Sequence, residues 1–522
     1  MSKSPPSQPA QLLIKAIPVL LFLLAAGARL APGERIIDDA YITFRYARNI
    51  ARGDGFVYNP GERVLGTTTP LYTLAMAGLS ILFRTDHYPP LAVGLNAIAD
   101  GAACALLVPL GLALSGRRRV GIAAGALYAI APYSVTFAIG GLETSVGVLL
   151  LIATALLYLR KHSGWAVTAA LAILTRPDTL ILIAPLGLDH LSRSVMALRK
   201  TPLRLVLIET FKPVAIAMTL LAPWLLFATL YFGSPIPHSI AAKTVAYQLE
   251  PIEGFKRLLQ HYTTPFFEQN TFSSGTVLLS LLIIYLSLSL IAILAALRLD
   301  PRSFAITLYP FIYFAVFALA NPLIFRWYLT PPLPFYFLLI LTGLAQVSEG
   351  LTQRLRPART APIIFGIISL FFFGLSLREW KPTPDHGPNR PAPDMAWFKL
   401  EQIYTQVGQR LTTEIGPNTV VAAGDIGALG YFSNAKILDT LGLVSPQVTA
   451  YYPLPRDQLV INYAISADLI ADLQPDYVVF LEVYGRNTLL IDSRFLNTYT
   501  LRQKIGTDIY GSEGLLVYKR ND

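Results

Sequence analysis

Two stretches decide the class of fold: LLIKAIPVLLFLLAAGARL (residues 12–30) and, shortly after it, DDAYITFRYARN (residues 38–49). The first has the length and apolar character of a helix that crosses a bilayer. The second places adjacent carboxylates, Asp38 and Asp39, just beyond that helix. Charges at a membrane edge are costly unless they face water, a cation or a substrate. The pair is therefore either the cap of a short helix running to about Ala51 or part of a functional site.

The apolar character of the first stretch recurs along the chain. Of the 522 residues, 53% are hydrophobic and 14% are charged, and the mean hydropathy is +0.50. Apolar runs of roughly 17 to 25 residues follow one another, which predicts a polytopic membrane protein. The net charge of +10 lies in short clusters between these runs, so we expect no nucleic-acid partner. A single cysteine, Cys104, excludes an intrachain disulfide.

The basic clusters predict the topology. They fall on one side of the membrane, the cytoplasmic side, if the N-terminus is cytoplasmic and the apolar segment 70–83 lies at the interface or re-enters. About eleven crossings result, two of them formed by short halves on either side of the break at residues 175–178. The clusters are Arg117-Arg118-Arg119, Arg160-Lys161, Arg199-Lys200, Arg298 with Arg302, and Arg354 with Arg356 and Arg359.

This topology places polar side chains from distant parts of the chain on the outer face. A transporter is expected to hold such groups nearer the midplane, on repeated halves, and the sequence contains no internal repeat. We expect the outer group to comprise Asp38, Asp39, Arg45, Glu143, Arg176, Asp178, His238, Lys243 and Arg326.

The character of the sequence changes after Leu377. We predict a transmembrane domain over 1–377 with its first outer loop at 32–70, a proline-rich linker over 378–393, and an extracytoplasmic α/β domain over 394–522. Within the last domain, helical periodicity over 395–415 is followed by strand-like runs at 419–423 and 476–481. The fold class is therefore mainly α, a membrane helical bundle followed by a small α/β domain.

Several motifs give the chain a family resemblance. Residues 38–49, Gly53 to Val64 and Gly66 to Tyr72 resemble the first outer loop of the GT-C superfamily of membrane glycosyltransferases, and in particular the terminal β-arabinofuranosyltransferase-like family. Segments 141–144, 174–178 and 326–329, and the stretch from Gly424 to Leu443, fit the same pattern in the same order. The match spans most of the chain.

The resemblance implies an inverting glycosyltransferase of the plasma or inner membrane that works on the outer face. It would move a sugar, arabinofuranosyl or another envelope sugar, from a polyprenyl-phosphate donor to a glycan or glycolipid acceptor. Asp38 is expected to take the proton of the acceptor hydroxyl, with Asp39 orienting it; the reverse assignment stays open. Arg326, Lys243 and His238 are candidates for the donor phosphate. Tyr41, Arg45, Glu143, Arg176, Asp178 and Tyr328 are candidates for substrate or acceptor binding.

Other interpretations of these residues remain open at the level of sequence. Arg176 and Asp178 would equally serve as a pair that satisfies a broken helix, and Glu143 as an acid at a helix N-terminus. Arg326 would equally contact lipid headgroups in general. We predict no cofactor and no metal site, and the metal requirement stays open. The rival function is a polytopic transporter or lipid flippase with an outer sensory domain.

Overall fold

The computed structural model describes residues 8–267, 275–355, 360–383, 388–395, 399–416 and 418–521. Arg356 and Arg359, two members of the predicted basic clusters, lie outside these residues. The chain divides into two compact units. The first unit comprises Met1–Arg35, Ala92–Leu221 and Ile252–Trp397, and the second comprises Ile36–Leu91, Ala222–Pro251 and Phe398–Asp522.

Helices make up most of the described chain. The helices up to residue 197 are α1 Gln8–Leu30, α2 Asp38–Arg52, α3 Pro70–Phe83, α4 Tyr88–Ser115, α5 Arg118–Ile130, α6 Pro132–Ile139, α7 Thr144–Leu159, α8 Trp165–Thr175 and α9 Leu180–Ala197. The later ones are α10 Leu203–Phe232, α11 His238–Ala246, α12 Glu253–Thr263, α13 Gly275–Leu299, α14 Ser303–Ala320, α15 Leu333–Leu355, α16 Thr360–Arg378, α17 Lys399–Glu414, α18 Gly427–Ser433, α19 Ala467–Leu473 and α20 Ser493–Thr498.

Seven helical segments of the described chain are long and apolar enough to cross a membrane, and the bent pair α5 and α6 would make an eighth. The protein is a multi-pass membrane protein with the predicted mainly helical fold. The count of about eleven crossings also included α1, α7 and α8. At a rise of about 1.5 Å per residue, α7 and α8 are shorter than the roughly 30 Å hydrocarbon core. The seven segments are Tyr88–Ser115, Pro177–Ala197, Leu203–Phe232, Gly275–Leu299, Ser303–Ala320, Arg326–Thr352 and Thr360–Arg378.

A buried ion pair joins helices of the first unit. Arg29 of α1 donates from Nε to Oδ2 of Asp100 in α4 at 2.8 Å, and both side chains are fully buried. The hydroxyl of Ser145 in α7 donates to the same carboxylate oxygen at 2.9 Å. Arg29 also donates to the hydroxyl of Ser134 in α6 at 2.8 Å. Because a buried charge needs such partners, this network fixes α1 against three other helices.

The proline-rich stretch after α16 forms a short ribbon in the first unit. Strand β1, Trp380–Lys381, pairs antiparallel with β2, Ala392–Pro393. Ala392 packs against Val135 and Ile139 of α6. The two ends of the predicted linker are thus paired with each other, and the domain bounds that we derived from composition remain a prediction.

The second unit contains a five-stranded mixed sheet in the order β4-β3-β5-β7-β6. Its three strands β4, β3 and β5 are parallel, and β7 and β6 continue antiparallel. The predicted helix over 395–415 is observed as α17, and the strands predicted at 419–423 and 476–481 are β3 and β5, which confirms the α/β character. The strands are β3 Val420–Ala423, β4 Lys436–Asp439, β5 Tyr477–Leu481, β6 Tyr499–Ile505 and β7 Leu515–Arg520.

Candidate functional site

Asp38 is the first residue of α2, and its carboxylate contacts the N-terminus of α18. Oδ2 accepts a hydrogen bond from the backbone N–H of Gly427 at 2.8 Å, and Oδ1 accepts one from Ala428 at 2.7 Å. Residue 427 must be glycine for this approach, because a Cβ there would lie 1.8 Å from the Asp38 carbonyl oxygen. The backbone N–H groups that would suit a phosphate are therefore occupied by a carboxylate of the protein itself.

Three further acids surround Asp38 in the second unit. Its own N–H donates to Oε1 of Glu401 at 3.3 Å. Asp425 stands between β3 and α18 and accepts a hydrogen bond from the hydroxyl of Tyr404 at 3.0 Å. Asp39 follows Asp38 in α2, and its side chain is 37% exposed, whereas Asp38 as a residue is 7% exposed. We call Asp38, Asp39, Glu401 and Asp425 the acid cluster.

Burial and neighbouring charges raise the pKa values of three acids in the cluster, Asp38, Glu401 and Asp425. The pKa of Asp38 is raised well above its usual value, first by burial and then by the nearby charges of Asp425 and Asp39, although the two N–H contacts oppose the shift. Burial raises the pKa of Glu401 to about 8 and that of Asp425 to about 6. Carboxyl groups with the pKa values of Glu401 and Asp425 can exchange protons near neutral pH.

Helix α11 carries two of the predicted phosphate ligands in the same unit. Lys243 Nζ lies 3.9 Å from Oδ2 of Asp39, a loose ion pair at the edge of the acid cluster. His238 is fixed through its backbone N–H, which donates to the carbonyl of Leu65 at 2.8 Å. Burial lowers the pKa of the His238 side chain, so the neutral imidazole is favoured.

Arg45, predicted to bind substrate, makes hydrogen bonds to other residues of the second unit. Its guanidinium donates to the carbonyls of Tyr58, Gly430 and Ala435 at 2.9, 2.7 and 2.7 Å, and to Asn59 Oδ1 at 3.2 Å. The group also stacks 4.3 Å above the Tyr58 ring. These bonds tie α2 and the first loop to the residues around α18.

A shallow cleft of about 270 Å³ lies beside the acid cluster, and Tyr41 and Glu401 form part of its wall. The rest is amide and hydroxyl side chains on one face of α17: Gln402, Thr405, Gln406 and Gln409. Tyr41 itself is buried and packs edge-on against Phe432 at 5.3 Å between ring centroids. Tyr41, predicted as a substrate contact, thus opens onto a polar cleft.

Another group of predicted residues comes together in the first unit around Arg176. Its guanidinium binds Asp178 through both carboxylate oxygens, at 3.0 and 2.8 Å, and Glu143 at 2.7 Å. The Arg176 side chain is 5% exposed. The Tyr328 ring lies 5.8 Å from the guanidinium, and the hydroxyl of Tyr313 lies 3.0 Å from Asp178. These contacts match the interpretation of Arg176 and Asp178 as a pair at a helix break; we call the set the Arg176 network.

Arg326 begins a short 3-10 helix, Arg326–Leu329, in the first unit, and its side chain is exposed. Its neighbour Trp327 stacks on Phe325 at 4.6 Å between ring centroids. The aspartate pair belongs to the second unit. The role of Arg326 at a donor phosphate therefore remains a prediction.

Sequence reasoning did not select Glu401, Asp425 or Tyr404 as site residues. Asp425 had a visible signal, because it lies two residues after the end of a predicted strand. Glu401 and Tyr404 had no sequence signal that marks a site, because nothing distinguishes them from other residues of an amphipathic helix. Among the described residues, no group of three or more His, Cys, Asp or Glu has the arrangement of a metal site.

Comparisons with known proteins address the fold. A family model described as a domain of unknown function (DUF8728) matches residues 395–518. No curated protein matches the sequence. The crystal structure of ArnT from Cupriavidus metallidurans bound to undecaprenyl phosphate is 13% identical, has a TM-score of 0.53, and the alignment covers 98% of each chain. The apo structure of the same protein is 12% identical with a TM-score of 0.56 and the same coverage.

A structure of the arabinofuranosyltransferase AftD from Mycobacteria is 15% identical, and the alignment covers this whole chain but 42% of AftD. Its TM-score of 0.45 is too low to support an argument. The ArnT structures match over nearly the full length of both chains, in keeping with the resemblance that the motifs carry. The chain therefore has the fold of these ArnT structures.

Proposed function

We propose that this protein is an inverting glycosyltransferase that uses a polyprenyl-phosphate sugar as donor and a glycan or glycolipid hydroxyl as acceptor. The observation that carries the proposal is the acid cluster, in which the Asp38 carboxylate is buried, is oriented by two N–H groups, and has a pKa raised by burial and by nearby charges. The fold supports it, and ArnT, which shares that fold, was crystallised with undecaprenyl phosphate.

Asp38 is proposed as the general base. An inverting transfer needs a base that takes the proton of the acceptor hydroxyl while the oxygen attacks the anomeric carbon, through an oxocarbenium-like transition state. The two N–H contacts of Asp38 use one lone pair on each oxygen, so a second lone pair remains for the hydroxyl. The raised pKa of Asp38 brings it nearer the pH at which a base is most effective.

Asp39 is proposed to orient the acceptor, because it is the more exposed of the two and lies next to Lys243. The cleft along α17 suits a polyol, since amide and hydroxyl groups line it beside Tyr41 and Glu401. The sugar transferred would be arabinofuranosyl or another envelope sugar, as the first-loop motif suggests.

The donor phosphate is proposed to bind Lys243, His238 and Arg326. Leaving-group charge develops on the phosphate during transfer, and the cations Lys243 and Arg326, with the neutral His238 as a hydrogen-bond donor, would stabilise the transition state. If the planar guanidinium of Arg326 binds the phosphate through two N–H groups, Arg326→Lys should already raise the donor KM, and Arg326→Ala should raise it further. Unchanged donor KM in both variants would remove Arg326 from the site while leaving the transferase proposal intact.

The remaining predicted contacts are proposed as supporting residues. Arg45 and Arg176 bind backbone carbonyls or carboxylates of their own units through most of their N–H groups. Glu143, Asp178 and Tyr328 lie in the Arg176 network and are proposed to hold that part of the first unit in place.

The active site is proposed to face the extracytoplasmic side, because the basic clusters then lie inside. Single cysteines in a Cys104→Ala background test this. Arg502→Cys in the sheet of the second unit should react with an impermeant reagent added outside, and Arg118→Cys should not. Outside labelling of position 118 would overturn the orientation.

The decisive experiment is turnover by purified protein in detergent. Incubation with a panel of polyprenyl-phosphate pentoses and hexoses and envelope glycans should release polyprenyl phosphate only when both substrates are present. Loss of the base in Asp38→Asn should lower kcat by about 10² to 10⁴. Asp39→Asn should act mainly on the acceptor KM.

Glu414→Gln is the matched control, because Glu414 is an exposed acid on α17 outside the acid cluster. If Asp38→Asn kept full activity and Asp39→Asn lost kcat, Asp39 would be the general base and Asp38 the residue that orients the acceptor. Full activity in both variants would refute the proposed site. Movement of an intact lipid across a vesicle bilayer with no sugar transfer would favour the transporter or flippase instead.

A further inference from the structure

A larger cavity, of about 660 Å³, lies in the first unit among membrane-spanning helices. The C-terminal end of α4, the residues before α5, and helices α13 and α15 line it. Its polar wall contains Arg117, Arg298 and Gln346. None of these residues belongs to the acid cluster or to the Arg176 network, so the cavity needs a separate explanation.

The polar wall carries an excess of positive charge. Arg117 is ion-paired with Glu349, but Arg119 binds the same carboxylate at 2.5 Å, so one acid serves two guanidinium groups. Arg298 adds a further, exposed guanidinium. Of the described residues that line the cavity, none is acidic. An anion is therefore the favoured occupant of this wall.

The apolar part of the lining is exposed. Leu294 and Leu299 of α13 are 49% and 55% exposed, and Ile291 is exposed beside them. Helix α13 is one of the segments long and apolar enough to cross a bilayer, so these side chains would meet hydrocarbon. An occupant that suits both the basic and the apolar parts of the lining combines an anionic head with a hydrocarbon chain.

We propose that this cavity binds an anionic phospholipid of the surrounding leaflet, with its phosphate at Arg117 and Arg298 and an acyl chain along α13. Basic pockets between membrane helices are a known kind of site for anionic headgroups. The leaflet is the one that the basic clusters predict to be cytoplasmic. The site is independent of the proposed transfer reaction, because it contains none of the residues assigned to that reaction.

The test measures lipid retained by the full-length protein in detergent by native mass spectrometry, with dioleoylphosphatidylglycerol and dioleoylphosphatidylcholine as probes. The protein should prefer the anionic lipid. Arg298→Gln should lower that preference about fivefold, the effect expected for one cation near a charged lipid surface. Ala295→Phe fills the cavity while leaving its charges, and should lower retention of both lipids.

Arg204→Gln is the control, because Arg204 is an exposed arginine at the start of α10 that does not line the cavity. Equal loss of preference in Arg204→Gln and Arg298→Gln would overturn the site in favour of a general surface-charge effect. Displacement of the lipid by millimolar inorganic phosphate would show a site for the phosphate alone. Displacement by undecaprenyl phosphate at lower concentrations than phosphatidylglycerol would reassign the site to a polyprenyl lipid.

Discussion

The carboxylates of the acid cluster in the second unit lie near one another, whereas those around Arg176 in the first unit share one guanidinium. In the acid cluster, the described cation nearest to the group is Lys243, 3.9 Å from Asp39. In the Arg176 network, both carboxylates lie within 3.0 Å of the guanidinium, and all three side chains are at most 12% exposed.

This difference suits the acid cluster to proton exchange and the Arg176 network to stabilising the fold. Burial and neighbouring charges raise the pKa of Glu401 to about 8 and that of Asp425 to about 6, so these two carboxyl groups change charge near neutral pH. A guanidinium bound by two carboxylates keeps all three groups charged, and removing one member leaves the others buried without their counter-charge. The predictions below test this contrast.

The largest effect on stability is expected at Arg176. Arg176→Ala removes the cation that Glu143 and Asp178 share, which should lower the free energy of unfolding by about 3–5 kcal/mol, as for other broken buried pairs. Thermal unfolding in detergent measures the change. Arg410→Ala breaks an exposed pair with Glu414 and should change stability by less than about 1 kcal/mol. Equal shifts in the two variants would mean that the Arg176 network does not hold the first unit together.

A smaller loss is expected at Gly427. Gly427→Ala would place a methyl group 1.8 Å from the Asp38 carbonyl oxygen, so α18 and the start of α2 must separate. Overpacking of this kind typically lowers stability by about 1–3 kcal/mol. Transfer activity should fall too, since the Asp38 carboxylate loses its alignment.

Gly506→Ala is the matched control, because nothing lies within 4 Å of a Cβ at that position. Thermal unfolding and turnover should be unchanged there. Normal turnover in Gly427→Ala would contradict the proposal that the N–H groups of α18 orient the base.

The smallest expected effect on stability is that of replacing Glu401, and it depends on pH. Burial raises its folded pKa from 4.5 to about 8, so the folded protein holds this proton more tightly than the unfolded chain does. The resulting stabilisation is complete below pH 4.5 and is lost as the pH rises toward 8. Glu401→Gln should therefore match the wild type near pH 4.5 and unfold a few degrees higher near pH 8.

Differential scanning fluorimetry across that pH range, with Glu414→Gln as control, measures the difference. A constant offset at every pH would contradict the raised pKa of Glu401. In contrast, the stability difference between Arg176→Ala and the wild type should change little between pH 6 and 8, since a guanidinium stays charged there.

Much of the fold followed from local sequence. The helix at α17, the strands β3 and β5 and the break near Pro177 were all predicted, because each depends on periodicity or on a breaking residue. A helix near Asp38 was one of two open alternatives, and its N-cap is Ile37 rather than an aspartate. The number of crossings was harder to predict from sequence, because α7 and α8 are apolar like membrane-spanning helices but are shorter than them. The domain bounds also depended on composition, whereas the second unit combines three separate stretches of chain.

The candidate site was predictable only in part. Asp38 and Asp39 stood out because two adjacent acids follow an apolar run. Glu401 and Tyr404 did not, because nothing in an amphipathic helix indicates which half-buried positions approach another acid. Arg45 was chosen by its motif, but only the folded chain shows that its N–H groups bind the carbonyls of Tyr58, Gly430 and Ala435.

The sequence by itself determined that this is a mainly helical, multi-pass membrane protein with an α/β region near its C-terminus, because burial in lipid and secondary structure both follow from runs and periods along the chain. Only the tertiary structure decided which acids meet. Residues 38 and 427 are far apart in sequence, and the contact of the Asp38 carboxylate with the N–H groups of α18 depends on how helices from two stretches of the second unit pack. The pKa values of the acid cluster follow from that packing, since they depend on desolvation and on charges brought close in space.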